Sequence, residues 1–217
     1  MNKRQFWSWQ DTVIVILGLA AILFAVVNYH RLPDQLPMHF DVHGNVDRYG
    51  GKLNAIGFLA CLGLFLPIAL GVARHIDPRK SNYDMFQNAF GIFRLALAVF
   101  LDLMLVAIVL YGLGHKINMT NSVMVGIGLL FLVMGNYMPQ IKDNFFIGIR
   151  TPWTLSDPEV WRKTHRLGGR LWVLAGLLVA IGALLPTAWM PTVILIALIP
   201  LAVIPLLYSW WISRKAD

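Results

Sequence analysis

Six stretches of this chain stay apolar for about as long as a helix needs to cross a lipid bilayer, and no other feature constrains the fold as strongly. A crossing helix takes about 20 mostly apolar residues, within a range of roughly 17–25. The six run near Thr12–Asn28, Leu53–Ala73, Phe90–Gly114, Val123–Met138, Leu171–Leu185 and Met190–Trp211. The fourth and fifth are short. The sixth carries Pro191, Pro200 and Pro205, each of which removes an amide donor and favours a kink. With 58% hydrophobic and 13% charged residues, the chain has too little charge to cover a water-soluble globule, for which about 25% is usual. The lone Cys61 cannot form an intrachain disulfide, and no Cys/His cluster has the spacing of a structural zinc site. Trp7, Trp9 and Asp11 interrupt the N-terminal apolar run and no small-residue cleavage site follows, so the first span is expected to stay uncleaved.

The charged residues orient these spans. Lys3, Arg4, Arg74, Arg79, Lys80, Lys142, Arg150, Arg162, Lys163, Arg166, Arg170, Arg214 and Lys215 fall on one side. Arg31, Arg48, Lys52 and Lys116 fall on the other, and Arg94 lies within a span. Basic residues accumulate on the cytoplasmic side, which predicts both termini inside. Trp7, Trp9, Tyr29, Tyr111, Tyr137, Trp189, Trp210 and Trp211 sit near the expected interfaces, where amphipathic rings settle. The expected fold is an all-α polytopic membrane protein, one integral domain over residues 1–217, with about six transmembrane helices. An N-terminal helix pair over 12–73 encloses an external loop at 29–52, and the C-terminal region 123–211 contains a cytoplasmic loop at 139–170.

The external loop is patterned. From Met38 to His43 apolar and polar residues alternate, placing Met38, Phe40 and Val42 on one face of a strand and His39, Asp41 and His43 on the other. Gly44-Asn45 suits a tight turn, and a second extended run reaches Gly50-Gly51. The prediction is a small hairpin over the helix ends. His39, Asp41 and His43 can be read as a metal trio, as a solvated face, or as part of a ligand-binding surface with pH-sensitive imidazoles. The candidate ligand-binding residues are His39, Phe40, Asp41, His43, Arg48, Tyr49 and Lys52.

The cytoplasmic loop holds the longest run of ordered-looking sequence. Ser156 and Glu159, the only glutamate, have capping-box spacing, with Pro158 in the first turn, so a short helix is expected from about Asp157. Val160, Trp161, Thr164 and Leu167 fall on one side of it and Arg162, Lys163 and Arg166 on the other, as in a basic amphipathic helix on a leaflet surface. That accounts for the charge. It does not account for Phe145 to Trp153, where Gly148 and Pro152 bracket Arg150, and a docking surface for a cytoplasmic partner is the sharper reading. Asn144, Arg150, Thr151, Trp153, Trp161, Arg162, His165 and Arg166 are its candidate residues. Within the third span, Arg94 and Asp102 are about 80° and some 12 Å apart on a helix, too far to pair. Arg94 is expected to snorkel to the interface. Asp102 is the candidate for a pathway or ion relay.

Two motifs carry a resemblance. Leu36-Pro37-Met38-His39-Phe40, Gly44, Asp47-Arg48-Tyr49-Gly50 and Lys52 resemble the domain of unknown function near the N-terminus of SdpI-type membrane proteins. Asn144, Gly148-Ile149-Arg150-Thr151-Pro152-Trp153-Thr154-Leu155-Ser156, Val160-Trp161 and Thr164-His165-Arg166-Leu167-Gly168-Gly169 resemble the signature of the SdpI family. The resemblance implies a multi-pass protein of the bacterial inner membrane that neutralises or senses a membrane-active peptide toxin. It also implies a cytoplasmic transcriptional repressor as a candidate sequestered partner. The expected protein is not an enzyme, takes no cofactor and makes no direct nucleic-acid contact. A small proton-coupled transporter or exporter built on Asp102 is the alternative. The chain has no H-E-x-x-H, G-x-S-x-G or phosphate-binding glycine loop that would favour an enzyme.

Overall fold

Ser8 starts the first helix: the Asp11 carboxylate accepts from its amide at 2.7 Å and its hydroxyl at 2.6 Å. A computed structural model of the chain describes residues 7–41 and 45–215. Helix α1 (Trp9–Asn28) leads through a single 3-10 turn into an antiparallel hairpin, β1 (Gln35–Phe40) and β2 (Val46–Gly51). Then follow α2 (Lys52–Ala73), α3 (Gln87–Gly112), α4 (Met119–Tyr137), the one-turn α5 (Pro152–Ser156), α6 (Pro158–Gly182) and α7 (Met190–Ser213). Helices α1 to α3 pack together under the hairpin, α6 packs between α4 and α7, and α3 against α4 joins the two groups.

Among the described residues, five helices are long and apolar enough to cross a membrane, containing α1, α2, α3, α4 and α7. The protein is an all-α polytopic membrane protein. The fifth expected span departs from its prediction. The short amphipathic helix and the span over Leu171–Leu185 are one continuous helix, α6. Gly168-Gly169 does not break it, because α4 lies against that face. A Cβ at Gly135 would meet the Gly169 carbonyl at 2.7 Å, and one at Gly128 the Gly176 carbonyl at 2.8 Å. Two glycine pairs, each seven residues apart, let the α4 and α6 backbones touch, as small residues do between membrane helices. Helix α7 also lies along α6, with the Val193 side chain against Gly182. Helix α7 continues through Pro200 and Pro205.

The hairpin is seated by Leu36, fully buried, which joins Leu32, Ala21, Ala25 and Val109 in one apolar cluster. Phe40 packs edge-on against Tyr111 at 6.4 Å. Irregular register on both sides of His39 breaks the expected alternation, and Met38 is exposed instead of sharing a packed face. Val42, His43 and Gly44, with the predicted roles of His43 as ligand and Gly44 as turn residue, lie outside the described residues. So do Lys3 and Arg4.

Candidate functional site

The end of the bundle opposite the hairpin holds a buried polar network, assembled by the 74–86 and 138–157 loops, α6 and α7. Asp77 is its centre, 1% exposed. One carboxylate oxygen accepts from the Arg79 amide at 2.7 Å. The other accepts from the Tyr83 hydroxyl at 3.0 Å and the Phe145 amide at 2.9 Å. Burial, then the bond to Asp77, pushes the Tyr83 phenol above its usual range. Asn144, fully buried, turns the chain by accepting from the Phe146 and Ile147 amides at 2.9 and 2.8 Å, and donates to the Lys142 carbonyl at 2.8 Å. Arg79 ties the two loops together, donating to Asp143 at 2.9 Å and to the Leu155 carbonyl at 2.6 Å.

His165 fixes the next segment. Its Nε2 accepts from the Ile149 amide at 2.9 Å, and its Nδ1 lies 2.9 Å from the Trp161 carbonyl. Only the neutral ring with its proton on Nδ1 satisfies both bonds. Burial pushes its pKa down to about 4, against a smaller upward effect of the Trp161 carbonyl. The ring stacks on Trp161 at 4.0 Å, and the indole donates to the Ile141 carbonyl at 2.8 Å. Gly148 has φ +105° and its Cβ position points at His165 Nε2, so both backbone sign and space require glycine there. Thr151 and Thr154 close a capping box on α5, and the Thr151 hydroxyl reaches Ser209 of α7 at 3.1 Å.

The expected cap of α6 is different. Asp157, not Ser156, is the N-cap, accepting from the Glu159 and Val160 amides at 2.7 and 3.3 Å. Ser156 donates to the Trp153 carbonyl. Glu159 is thereby released to Arg162, at 2.7 and 2.6 Å, and to Lys163 at 3.4 Å. The Arg162 bonds, then Lys163, hold its carboxyl down at about 2, and Glu159 in turn raises the Arg162 pKa.

The predicted partner-binding residues therefore divide. Asn144, Thr151, Trp161 and His165 are buried, Trp153 is half-buried, and Arg150, Arg162 and Arg166 face outward. Arg150 donates to the Phe145 carbonyl across the Gly148 turn.

The intramembrane charges also depart from expectation. Arg94 does not snorkel; it is 3% exposed, paired with Asp11 and donating to the Pro67 carbonyl at 2.8 Å. Leaving a buried cation unpaired is far more costly than bridging it to a carboxylate from the neighbouring helix. Asp102 is 7% exposed, and its Oδ2 has no hydrogen-bond partner among the described residues. On insertion scales such a group costs about 2.5–3.5 kcal/mol. Gly71 faces Arg94 and Gly63 faces Asp102, so antiparallel α2 and α3 match glycines to charges at the same eight-residue interval.

At the hairpin end the polar residues are more open. His39 Nδ1 meets Asp47 at 2.7 Å, with side chains 54% and 46% exposed. Asp41 closes the turn on Asn45, accepting from its amide at 2.8 Å. Arg48 and Tyr49 are exposed. Lys52 reaches back to Asp34 at 3.1 Å and the Leu32 carbonyl at 3.2 Å. Among the described residues no group of three His, Cys, Asp or Glu side chains is placed to hold a metal. A further opening of about 380 Å³ lies between Phe40, Tyr111, Lys116 and Thr187.

Sequence reasoning missed Asp11, Asp77, Arg79, Tyr83, Asp143 and Ser209. Local signals existed for two of them: Ser8 and Asp11 have capping spacing, and Asp77-Pro78 is a turn dipeptide. The others join segments some 60 residues apart and leave no local trace.

Fold and site together define a multi-pass membrane protein with a β-hairpin at one end and a hydrogen-bonded loop platform at the other. The model of the SdpI/YfhL protein family matches residues 140–209. A domain of unknown function (DUF1648) matches residues 15–64. Immunity protein SdpI of Bacillus subtilis (strain 168) is 22% identical over 211 residues, covering 96% of this chain and 98% of that protein. No solved structure matches the chain.

Proposed function

We propose that this chain is a non-enzymatic immunity protein and receptor of the bacterial cytoplasmic membrane. It neutralises or senses a membrane-active peptide and signals to a cytoplasmic partner, with a transcriptional repressor as the partner class. The observation that carries the reading is the end-to-end relationship to a protein named for immunity. The basic end faces the cytoplasm by the positive-inside rule, with six crossings when the apolar half of α6 is counted beside α4 and α7. The hairpin then faces outward, where a peptide arrives. Binding there biases the basic end only through a preference for one helix arrangement, and α3, which runs from Arg94 at one end to Tyr111 at the other, links the two. Transport is the weaker reading, since no hydrogen-bonded relay extends from Asp102 Oδ2 among the described residues.

The test is survival of a sensitive bacterium challenged with an Sdp-type peptide. The intact chain is expected to protect, relative to empty vector, and a variant lacking residues 40–49 is expected to insert without protecting. No protection by the intact, verifiably inserted chain overturns the immunity reading. Protection by the deletion variant overturns the role of the hairpin.

A further inference from the structure

We infer that the opening at the hairpin end between Phe40, Lys116 and Thr187 is a binding site for a peptide carboxylate with an apolar side chain beside it, the pair that the free C-terminus of a peptide presents. The opening holds about 380 Å³, at the small end of the roughly 300–1,000 Å³ of ligand sites, which suits a chain end better than a folded partner. Its sides differ in character. Phe40, edge-on to Tyr111 at 6.4 Å, supplies the apolar part with Ile117 and Met119. Lys116, Asn118 and Thr187 supply the polar part.

The balance of charge selects the occupant. Among the described residues no carboxylate lines the opening. Lys116 is exposed, and no described side chain pairs with it. The acids of this end are engaged elsewhere, Asp34 with Lys52, Asp47 with His39 and Asp41 with Asn45. Asn118, the N-cap of α4, turns its side-chain carbonyl to the Asn121 amide at 3.0 Å, which leaves its NH2 group to donate. The Thr187 hydroxyl is a further donor with no partner among the described residues. One cation and two neutral donors, with no anionic acceptor of their own, are complementary to a carboxylate. These residues also come from separate parts of the fold: Phe40 from β1, Lys116 and Asn118 from the turn between α3 and α4, and Thr187 from the turn between α6 and α7. A ligand held among them touches both groups of helices and so prefers one arrangement of them, which is what a signal passed through the bundle requires.

The inference rests on the reading that a peptide is received at the hairpin end, and it names the group by which that peptide is held. The probe is a fluorescent synthetic peptide ending in phenylalanine as the free acid, compared with the same peptide as its C-terminal amide, each added to the full chain in phosphatidylcholine nanodiscs. By fluorescence anisotropy the acid is expected to bind about tenfold more tightly than the amide, the scale of one charge-assisted bond. That difference is expected to vanish in Lys116→Gln and to persist in Arg31→Gln, which removes an exposed cation of the same end that does not line the opening. Lys116→Gln changes an exposed side chain and is expected to fold as the parent does, checked by thermal unfolding in detergent. Thr187→Val is expected to weaken binding of the acid about threefold, and unchanged binding there overturns the bridge between the two groups of helices. Equal binding of acid and amide, or a preference that survives Lys116→Gln, overturns the site. Lys116-dependent retention of phosphatidylglycerol that excludes the acid assigns the donors to a lipid phosphate and overturns the peptide as occupant. Protection from toxin without the acid preference overturns this site alone. Acid preference without protection supports the site and overturns the immunity reading alone.

Discussion

The two ends of this molecule are both rich in polar and aromatic side chains, and they differ in where water is. At the basic end Asp77, Asn144 and His165 are at most 1% exposed, so every donor and acceptor there needs a partner, and the partners dictate one conformation. At the hairpin end His39 and Asp47 remain about half exposed. An ion pair in that setting contributes about 0–1 kcal/mol and exchanges readily for another partner. Ordered sequence at the basic end is therefore largely scaffold that presents Arg150, Arg162 and Arg166, whereas the hairpin keeps its polar groups available.

Removing the centre of the buried network is the most severe way to probe this difference. Asp77→Leu strands the Phe145 and Arg79 amides and leaves the Tyr83 hydroxyl only the longer bond to Asn144 Oδ1 at 3.3 Å, and the unpaired buried donors together are expected to cost about 3 kcal/mol. Thermal unfolding in detergent measures the loss, and protease cleavage within 143–150 localises it. A loss as small as that from a hairpin variant would erase the contrast.

The next largest effect is expected at Gly148. Gly148→Ala forces a side chain onto a backbone with φ +105° and into His165 Nε2, at about 2 kcal/mol. Trp161 reports the damage through its fluorescence, because it stacks on the displaced imidazole. Acid acts on the same contact. His165 has a folded pKa of about 4 against 6.5 unfolded, so the unfolded platform binds the proton first. Stability from this group is complete above pH 6.5 and falls by about 1.4 kcal/mol per unit from there toward pH 4. Opening of the 141–157 loop, followed by hydrogen exchange, is expected to show that slope, and His165→Gln is expected to flatten it.

How much of this was legible follows from the range of the interactions. Spans and hairpin showed because they depend on local pattern: long apolar runs, and two short extended stretches between the first two of them. The basic residues of α6 concealed its continuity with the fifth span, since the glycine contact that carries it through Gly168-Gly169 belongs to α4. Arg94 was misread because its partner Asp11 comes from another helix, 83 residues away. The SdpI-like motif was visible as a string, but its division into inward Asn144, Trp161 and His165 and outward arginines required knowing that Asp77 and Tyr83 lie beneath it.

The smallest effects on stability fall where function is expected to concentrate. Arg150→Ala with Arg166→Ala removes two exposed side chains and is expected to change stability by about 0.5 kcal/mol or less, while reducing recovery of a repressor partner in a membrane pull-down. At the hairpin, His39→Ala and Asp47→Ala are each expected to cost about 0–1 kcal/mol and, combined, to show little further loss because they break the same bond. If the pair serves only the hairpin, toxin protection should track that small stability change. If it yields to a ligand, the two single variants should differ in protection at equal stability, because a peptide cation engages Asp47 and not His39. Survival curves for both variants at matched expression separate the outcomes, and identical curves would assign His39 and Asp47 to scaffold, as buried Asp77 is at the other end.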